Sequence, residues 1–189
     1  MTPIVPPATI GVLGGGQLGR YAVMAAATMG YRTIVLDPDP SAPAGAVANE
    51  HLVAPYDDPQ ALRRLAFECD AVTTEFENIP AEQVASLEQQ IELHPSSKAL
   101  AVARDRILEK RCFRLLEIPT AEFMPVDNLE NLKEAVSVVG LPAILKTRTL
   151  GYDGKGQAVL RWLEDLADAW VKVGTVPCIV ESMIEFRRE

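Results

Sequence analysis

Residues 144–161 read ILKTRTLGYDGKGQAVLR: an apolar run ending on Lys146, a loop carrying Gly151, Gly154 and Gly156, and a second apolar run entered at Gln157. Short apolar runs of this length predict strands at 143–147 and 157–161, so the glycine loop joins strand to strand. A loop of that kind can fold over a polyphosphate as a flap, offering backbone amides to the phosphate oxygens. A Walker loop does not fit, because it needs a following helix and Gly-Lys-Ser/Thr, whereas Lys155 is followed by Gly156 and Gln157. Lys146 at a strand end can set its ammonium beside phosphate or adenine, although a lone edge lysine more commonly snorkels to solvent. Asp153-Gly154 equally suits a plain turn.

Outward from the loop, the pattern predicts a strand at 121–126, then a helix opened by a capping-box-like Asp127 and Glu130 and closed at Gly140 and Pro142. A helix at 163–173 and a strand at 178–181 follow the second loop strand. The order is β-α-β-β-α-β, a module complete at its last strand. Ahead of it, 105–116 reads as a helix with Ile107, Leu108, Phe113, Leu115 and Leu116 as its apolar residues, stopped by Ile118-Pro-Thr120.

The first half has a different grammar. Strands at 10–13, 33–36 and 71–76 alternate with helices at 18–29, 59–67 and 80–89. A short strand at 91–93 and a polar break at 95–97 follow, with a soft boundary near Ala103. Such alternation implies a parallel sheet with helices on both faces. Gly14-Gly-Gly16-Gln-Leu-Gly19 lies between a strand and a helix, an arrangement that aims amides and a helix N-terminus at an anion. Asp37 follows the next strand at the roughly 20-residue offset used for ribose in dinucleotide enzymes. From this loop alone a nicotinamide oxidoreductase stays open, as does a tight turn with no ligand. Strand alternation through Thr74-Glu-Phe-Glu77 puts Glu75 and Glu77 on one face at the ligand edge, where they suit hydroxyls or a cationic heterocycle better than pyrophosphate.

The bulk properties exclude several classes. With 189 residues and 48% hydrophobic content the chain can bury the core of one large domain or two small ones. A net charge of −8 without a basic run excludes nucleic acid as a partner. No apolar stretch approaches the roughly 18 residues of a membrane span, and the start has no basic leader pattern. Cys69, Cys112 and Cys178 are far apart and form no Cys-x-x-Cys pair, which argues against a disulfide framework or zinc site and fits a reducing cytoplasm. His51 and His94 have no metal or catalytic spacing, and Trp162 and Trp170 read as packing residues.

Together GVLGGGQLGR, VLDPDP, TTEFENIP, ARDRILEK, IPTAEF, ILKTRTLGYDGKGQ and CIVESMI resemble the ATP-grasp family, and within it the 5-(carboxyamino)imidazole ribonucleotide synthases of purine biosynthesis. The Tyr152-Asp153 pair inside the flap is the specific part of the likeness, and Leu150 stands where that family usually has a glycine. The resemblance implies a Rossmann-like pre-ATP-grasp domain at 1–103, a linking helix at 104–120, and an ATP-grasp lid subdomain with its hinge at 121–189, the C-terminal ATP-grasp domain lying outside the chain.

It further implies carboxylation of 5-aminoimidazole ribonucleotide with bicarbonate at the expense of ATP, in the cytoplasm and commonly in a homodimer. Arg106 and Lys146 would meet nucleotide phosphate or base, and Gly151 to Gln157, with Gly154, Lys155 and Gly156 among them, would cover the β- and γ-phosphates. Glu181, Ser182, Met183 and Ile184 would form the adenine-reading hinge, and Glu189 would bind ribose. Tyr152, Asp153 and Lys155 would act at the reacting groups, with Asp153 as proton acceptor, while Gln17, Leu18 and Glu75 would bind the ribonucleotide. The Mg²⁺ ligands are expected in the domain outside the chain, so the chain alone is expected to be inactive, or a binding fragment that turns nothing over.

Overall fold

The structure, a computed structural model, describes residues 3–151 and 154–185. They form two compact units that divide between Ala101 and Val102.

The first unit is a parallel five-stranded sheet with helices on both faces. Its strands are β1 (Thr9–Leu13), β2 (Arg32–Leu36), β3 (Glu50–Leu52), β4 (Ala71–Thr74) and β5 (Leu93–His94), in the order β3-β2-β1-β4-β5. Its helices are α1 (Gln17–Thr28), α2 (Pro59–Glu68), α3 (Ala81–Glu88) and α4 (Ser97–Arg104), the last running across the division. Strands covered on both faces become apolar throughout. Val12 and Val35 pack with Val23 of α1, whereas their neighbours Leu13, Ile34 and Leu36 pack with Leu65 of α2 and with Val84 and Leu87 of α3. Asp58 caps α2, its Oδ1 accepting from the amides of Gln60 (2.9 Å) and Ala61 (2.7 Å), and Pro59 opens the helix where no amide is needed.

The second unit contains α5 (Arg106–Leu115), β6 (Phe123–Val126), α6 (Leu129–Val139), β7 (Ala143–Thr147), β8 (Gln157–Leu160), α7 (Asp165–Lys172) and β9 (Cys178–Ser182). The four strands form an antiparallel sheet, β6-β9-β7-β8. Period-two alternation divides its faces. Leu145, Leu160 and Val180 pack with Leu132 and Val136 of α6 and Leu166 and Ala169 of α7, while Ile179 and Phe123 on the other face pack with Ile107 of α5. The β-α-β-β-α-β order expected of 121–181 is the order found.

Several local expectations change. The helix at 129–139 is capped by Asn128, whose Oδ1 accepts from the Asn131 amide at 2.9 Å, not by Asp127 with Glu130. Strand β4 ends at Thr74, so Glu75 and Glu77 leave the sheet and alternation does not place them on one face. The last parallel strand lies at 93–94 instead of 91–93, and the polar residues at 96–97 lead into α4 instead of a plain break. Trp170 packs on the core of the second unit as expected, but Trp162 is exposed.

Candidate functional site

In the second unit the backbone alone fixes where the glycine loop leaves the sheet. Lys146 pairs with Gln157 across β7 and β8, and the next amide, Thr147 N, donates to Gly156 O at 2.8 Å. Helix α5 holds the other side of the loop. The Arg106 guanidinium donates to Gly151 O at 2.9 Å, and the Arg106 amide donates to Arg148 O at 3.1 Å. Asp105 both caps α5 and accepts from Arg148 Nε at 2.7 Å. Burial alone would raise the Asp105 carboxyl; Arg148 and the Leu108 and Ile107 amides outweigh it and hold its pKa below the ordinary carboxylate value.

Two glycines at this root are sterically required. A Cβ on Gly151 or Gly156 would lie 2.8 or 2.7 Å from Thr147 Oγ1, and Gly156 also has φ +70°. Leu150 has φ +64°, the left-handed conformation that suits the glycine usual there in the resembling family. Lys155 precedes Gly156 in the loop, and Gln157 after it is the first residue of β8. Tyr152, Asp153 and Glu189, three of the expected site residues, lie outside the described residues.

Behind the loop, Glu181 is almost completely buried and receives two ammonium groups on the same oxygen. Lys146 Nζ lies 3.0 Å and Lys110 Nζ 3.4 Å from Glu181 Oε2, and Lys110 also donates to Thr120 Oγ1 at 2.9 Å. Sequence reasoning named Lys146 and Glu181 but missed Lys110. Its signal is its position one helical turn after Arg106, on a helix whose apolar residue Ile107 faces the same sheet. At the expected hinge the Ser182 and Met183 amides donate to Glu122 O (2.9 Å) and Pro142 O (3.1 Å), so both are committed to the protein's own backbone. Ile184 follows the strand and is exposed.

In the first unit the loop after β1 is filled by the protein's own carboxylates. Gly15 N donates to Asp37 Oδ2 at 2.7 Å and Gly16 N to Glu75 Oε2 at 3.3 Å. The Tyr56 hydroxyl donates to Asp37 Oδ2 at 2.8 Å, and burial together with that carboxylate pushes the Tyr56 phenol well above its ordinary pKa. Asp37 thus holds the loop, and the amides expected to receive a ligand's phosphate already face two acidic groups. Pyrophosphate at this position would be repelled, while hydroxyls or a cationic ring are compatible with it. Glu77 turns away and is exposed, with Asn78 Nδ2 3.1 Å from its Oε1. Gln17 and Leu18 begin α1 next to the loop, both exposed.

Other chemistries find no support. Burial pushes the Cys178 thiol up to about 11, and burial with nearby acidic groups pushes Cys69 up to about 12, the opposite of an activated nucleophile. Among the described residues, no group of three or more His, Cys, Asp or Glu side chains is placed to hold a metal ion, and no helix is long and apolar enough to cross a membrane.

Comparison with known proteins agrees with this division. Residues 7–104 match the ribonucleotide synthetase preATP-grasp domain and residues 111–189 the ATP-grasp domain. The N5-carboxyaminoimidazole ribonucleotide synthase of Pseudomonas aeruginosa is 49% identical over 180 residues, 95% of this chain and 50% of that protein. The Brucella melitensis protein of the same name is 44% identical over 190 residues, 100% of this chain and 52% of its own length. Among solved structures, the N5-carboxyaminoimidazole synthetase of Staphylococcus aureus complexed with ADP superimposes with a TM-score of 0.94 at 35% identity, covering 99% of this chain and 50% of that one. An Aspergillus clavatus synthase in complex with ADP and 5-aminoimidazole ribonucleotide gives 0.85 at 26% identity, over 95% of this chain and 47% of that one. This chain spans about half the length of these relatives. With its parallel-sheet unit matched by the first domain and residues 111–189 of its antiparallel-sheet unit by the ATP-grasp domain, the chain belongs to the ribonucleotide synthetase preATP-grasp family.

Proposed function

We propose that this chain is the nucleotide-handling half of a cytoplasmic ATP-grasp ligase that carboxylates 5-aminoimidazole ribonucleotide with bicarbonate, giving the carboxyamino product, ADP and phosphate. The observation that carries the reading is the strand-to-strand glycine loop, rooted by Arg106 and by the Thr147–Gly156 backbone bond, with Lys146 on the strand that enters it. A loop so anchored can cover a polyphosphate while its root stays fixed, which is how a flap orders a phosphoryl donor and keeps water out.

The roles are those that the likeness to the ATP-grasp family implies. Lys146 and Arg106 meet the nucleotide, Gly151 to Gln157 cover its β- and γ-phosphates, the backbone of the Glu181 to Ile184 hinge takes adenine, and Glu189 takes ribose. Tyr152, Asp153 and Lys155 act where the γ-phosphoryl passes to bicarbonate and the ribonucleotide's amine captures the carboxyl unit, Asp153 accepting the amine proton. Gln17, Leu18 and Glu75 receive the ribonucleotide. A carboxylate such as Glu75 suits its hydroxyls or ring amine, not its phosphate. No Mg²⁺ ligand set is assigned to the described residues, and the metal carboxylates are placed in the half of the relatives that this chain does not span.

Phosphate release tests the proposal. A full-length ligase carrying this chain is expected to release phosphate from ATP only when bicarbonate and 5-aminoimidazole ribonucleotide are both present, and the 189-residue chain alone to release little. Release at a normal ligase rate of about 1–10³ s⁻¹ from the chain alone contradicts the assignment of the metal site to the other half.

A further inference from the structure

Resting on that reading of the second unit, we propose that Lys110 is a positioning residue for nucleotide binding. By sharing the Glu181 carboxylate it prevents Lys146 from being neutralised one to one, and the cluster keeps a net positive charge for an anionic ligand.

The geometry carries the argument. Both ammonium groups reach the same oxygen, Glu181 Oε2, at 3.0 Å from Lys146 and 3.4 Å from Lys110. The side chains are 6% exposed for Glu181, 17% for Lys110 and 23% for Lys146, so water screens the three charges weakly. A buried carboxylate needs a partner, and one lysine supplies it. A second lysine on the same oxygen adds like-charge repulsion, and among the described residues no other carboxylate pairs with either lysine, an arrangement that favours an anion brought from outside. The two cations differ in tethering. Lys110 is held by Thr120 Oγ1 at 2.9 Å and rides on α5, whose Ile107 is buried against Phe123 and Ile179. Lys146 is the more exposed of the pair and stands at the strand end from which the glycine loop departs. Lys110 is therefore the fixed member, and Lys146 the member that meets the ligand.

Counting charge separates this role from simple packing. Among the described residues the native cluster has two cations and one anion. Lys110→Met makes it neutral, Lys110→Arg keeps its charge, and the double variant Lys110→Met/Glu181→Gln restores one net positive charge through Lys146 alone. Calorimetric titration with Mg-ATP is expected to show about tenfold to thirtyfold weaker binding for Lys110→Met, near-native binding for Lys110→Arg, and recovery of most of the loss in the double variant. Adenosine, which has no phosphate, is expected to bind Lys110→Met as it binds the native chain. If Lys110→Met does not fold, Lys110→Gln removes the charge while keeping a donor for Thr120 and makes the same comparison. The proposal is overturned if the neutral variant binds Mg-ATP like the native chain, or if the double variant is no better than the single one. Failure of the native chain itself to bind Mg-ATP overturns the reading of the site, and the proposal with it.

Discussion

Asp153→Asn in a full-length ligase carrying this chain lowers turnover by about 10²- to 10⁴-fold, the range typical of losing a general base, with the KM for ATP almost unchanged. Asparagine keeps the size of aspartate and is as good a turn residue, so it isolates the negative charge and the proton-accepting oxygen. In the proposed reaction the ribonucleotide amine loses a proton as it captures the carboxyl unit, and a neutral amide cannot accept it. Steady-state kinetics with ATP and 5-aminoimidazole ribonucleotide varied independently give the answer. Turnover near that of the unsubstituted enzyme removes Asp153 from the catalytic residues and leaves the loop as a phosphate cover alone.

The second large effect belongs to the loop's root. Gly156→Val places a β-branched side chain at φ +70°, with its Cβ 2.7 Å from Thr147 Oγ1. Left-handed backbone costs an ordinary L-residue about 1–2 kcal/mol, and for a β-branched residue it is a genuine outlier. The collision adds to that cost, and the loop relieves both by leaving the geometry that joins Gly156 O to Thr147 N. ATP affinity is expected to fall about tenfold or more, while the affinity for 5-aminoimidazole ribonucleotide, whose proposed site is in the first unit, is expected to change little. The two substitutions thus divide the loop by role: Asp153→Asn changes turnover and Gly156→Val changes ATP binding. Equal loss of both nucleotide affinities in Gly156→Val contradicts that division.

How much of this was legible in the sequence depended on the range of the interaction. Strands flanking the flap were placed correctly because Ala143–Thr147 and Gln157–Leu160 carry apolar runs bounded by glycines, a purely local signal. The same signal placed β1, β2 and the start of β4 in the parallel unit, but not β3, whose Glu50-His-Leu52 offers a single apolar residue. Local competition was harder to resolve. Asp127 and Asn128 are both good caps, and the choice of Asn128 follows from the helix beginning at Leu129. Alternation failed at Glu75 because β4 stops at Thr74, and Glu75 then turns to the Gly16 amide 59 residues earlier in the chain.

Long-range pairings were out of reach altogether. Asp37 looks from its spacing like a ribose acceptor, and only the fold reveals Gly15 and Tyr56 on its carboxylate. Lys110 looks like any surface lysine on an amphipathic helix until β9 brings Glu181 beneath it. In both cases the residue type was visible and the partner was not, since each partner comes from a different strand or loop.

On the proposed reading this chain binds ATP through the second unit and does not bind a dinucleotide on its first glycine loop. Thermal unfolding of the chain with Mg-ATP, ADP or NAD tests it most directly, because a ligand that binds only the folded state stabilises it by RT ln(1 + [L]/Kd), about 2.7 kcal/mol at a hundred times Kd. Tm is expected to rise with Mg-ATP and with ADP and not with NAD, whose pyrophosphate would meet Asp37 and Glu75 already seated on the Gly15 and Gly16 amides. A rise with NAD and none with either adenine nucleotide would contradict it.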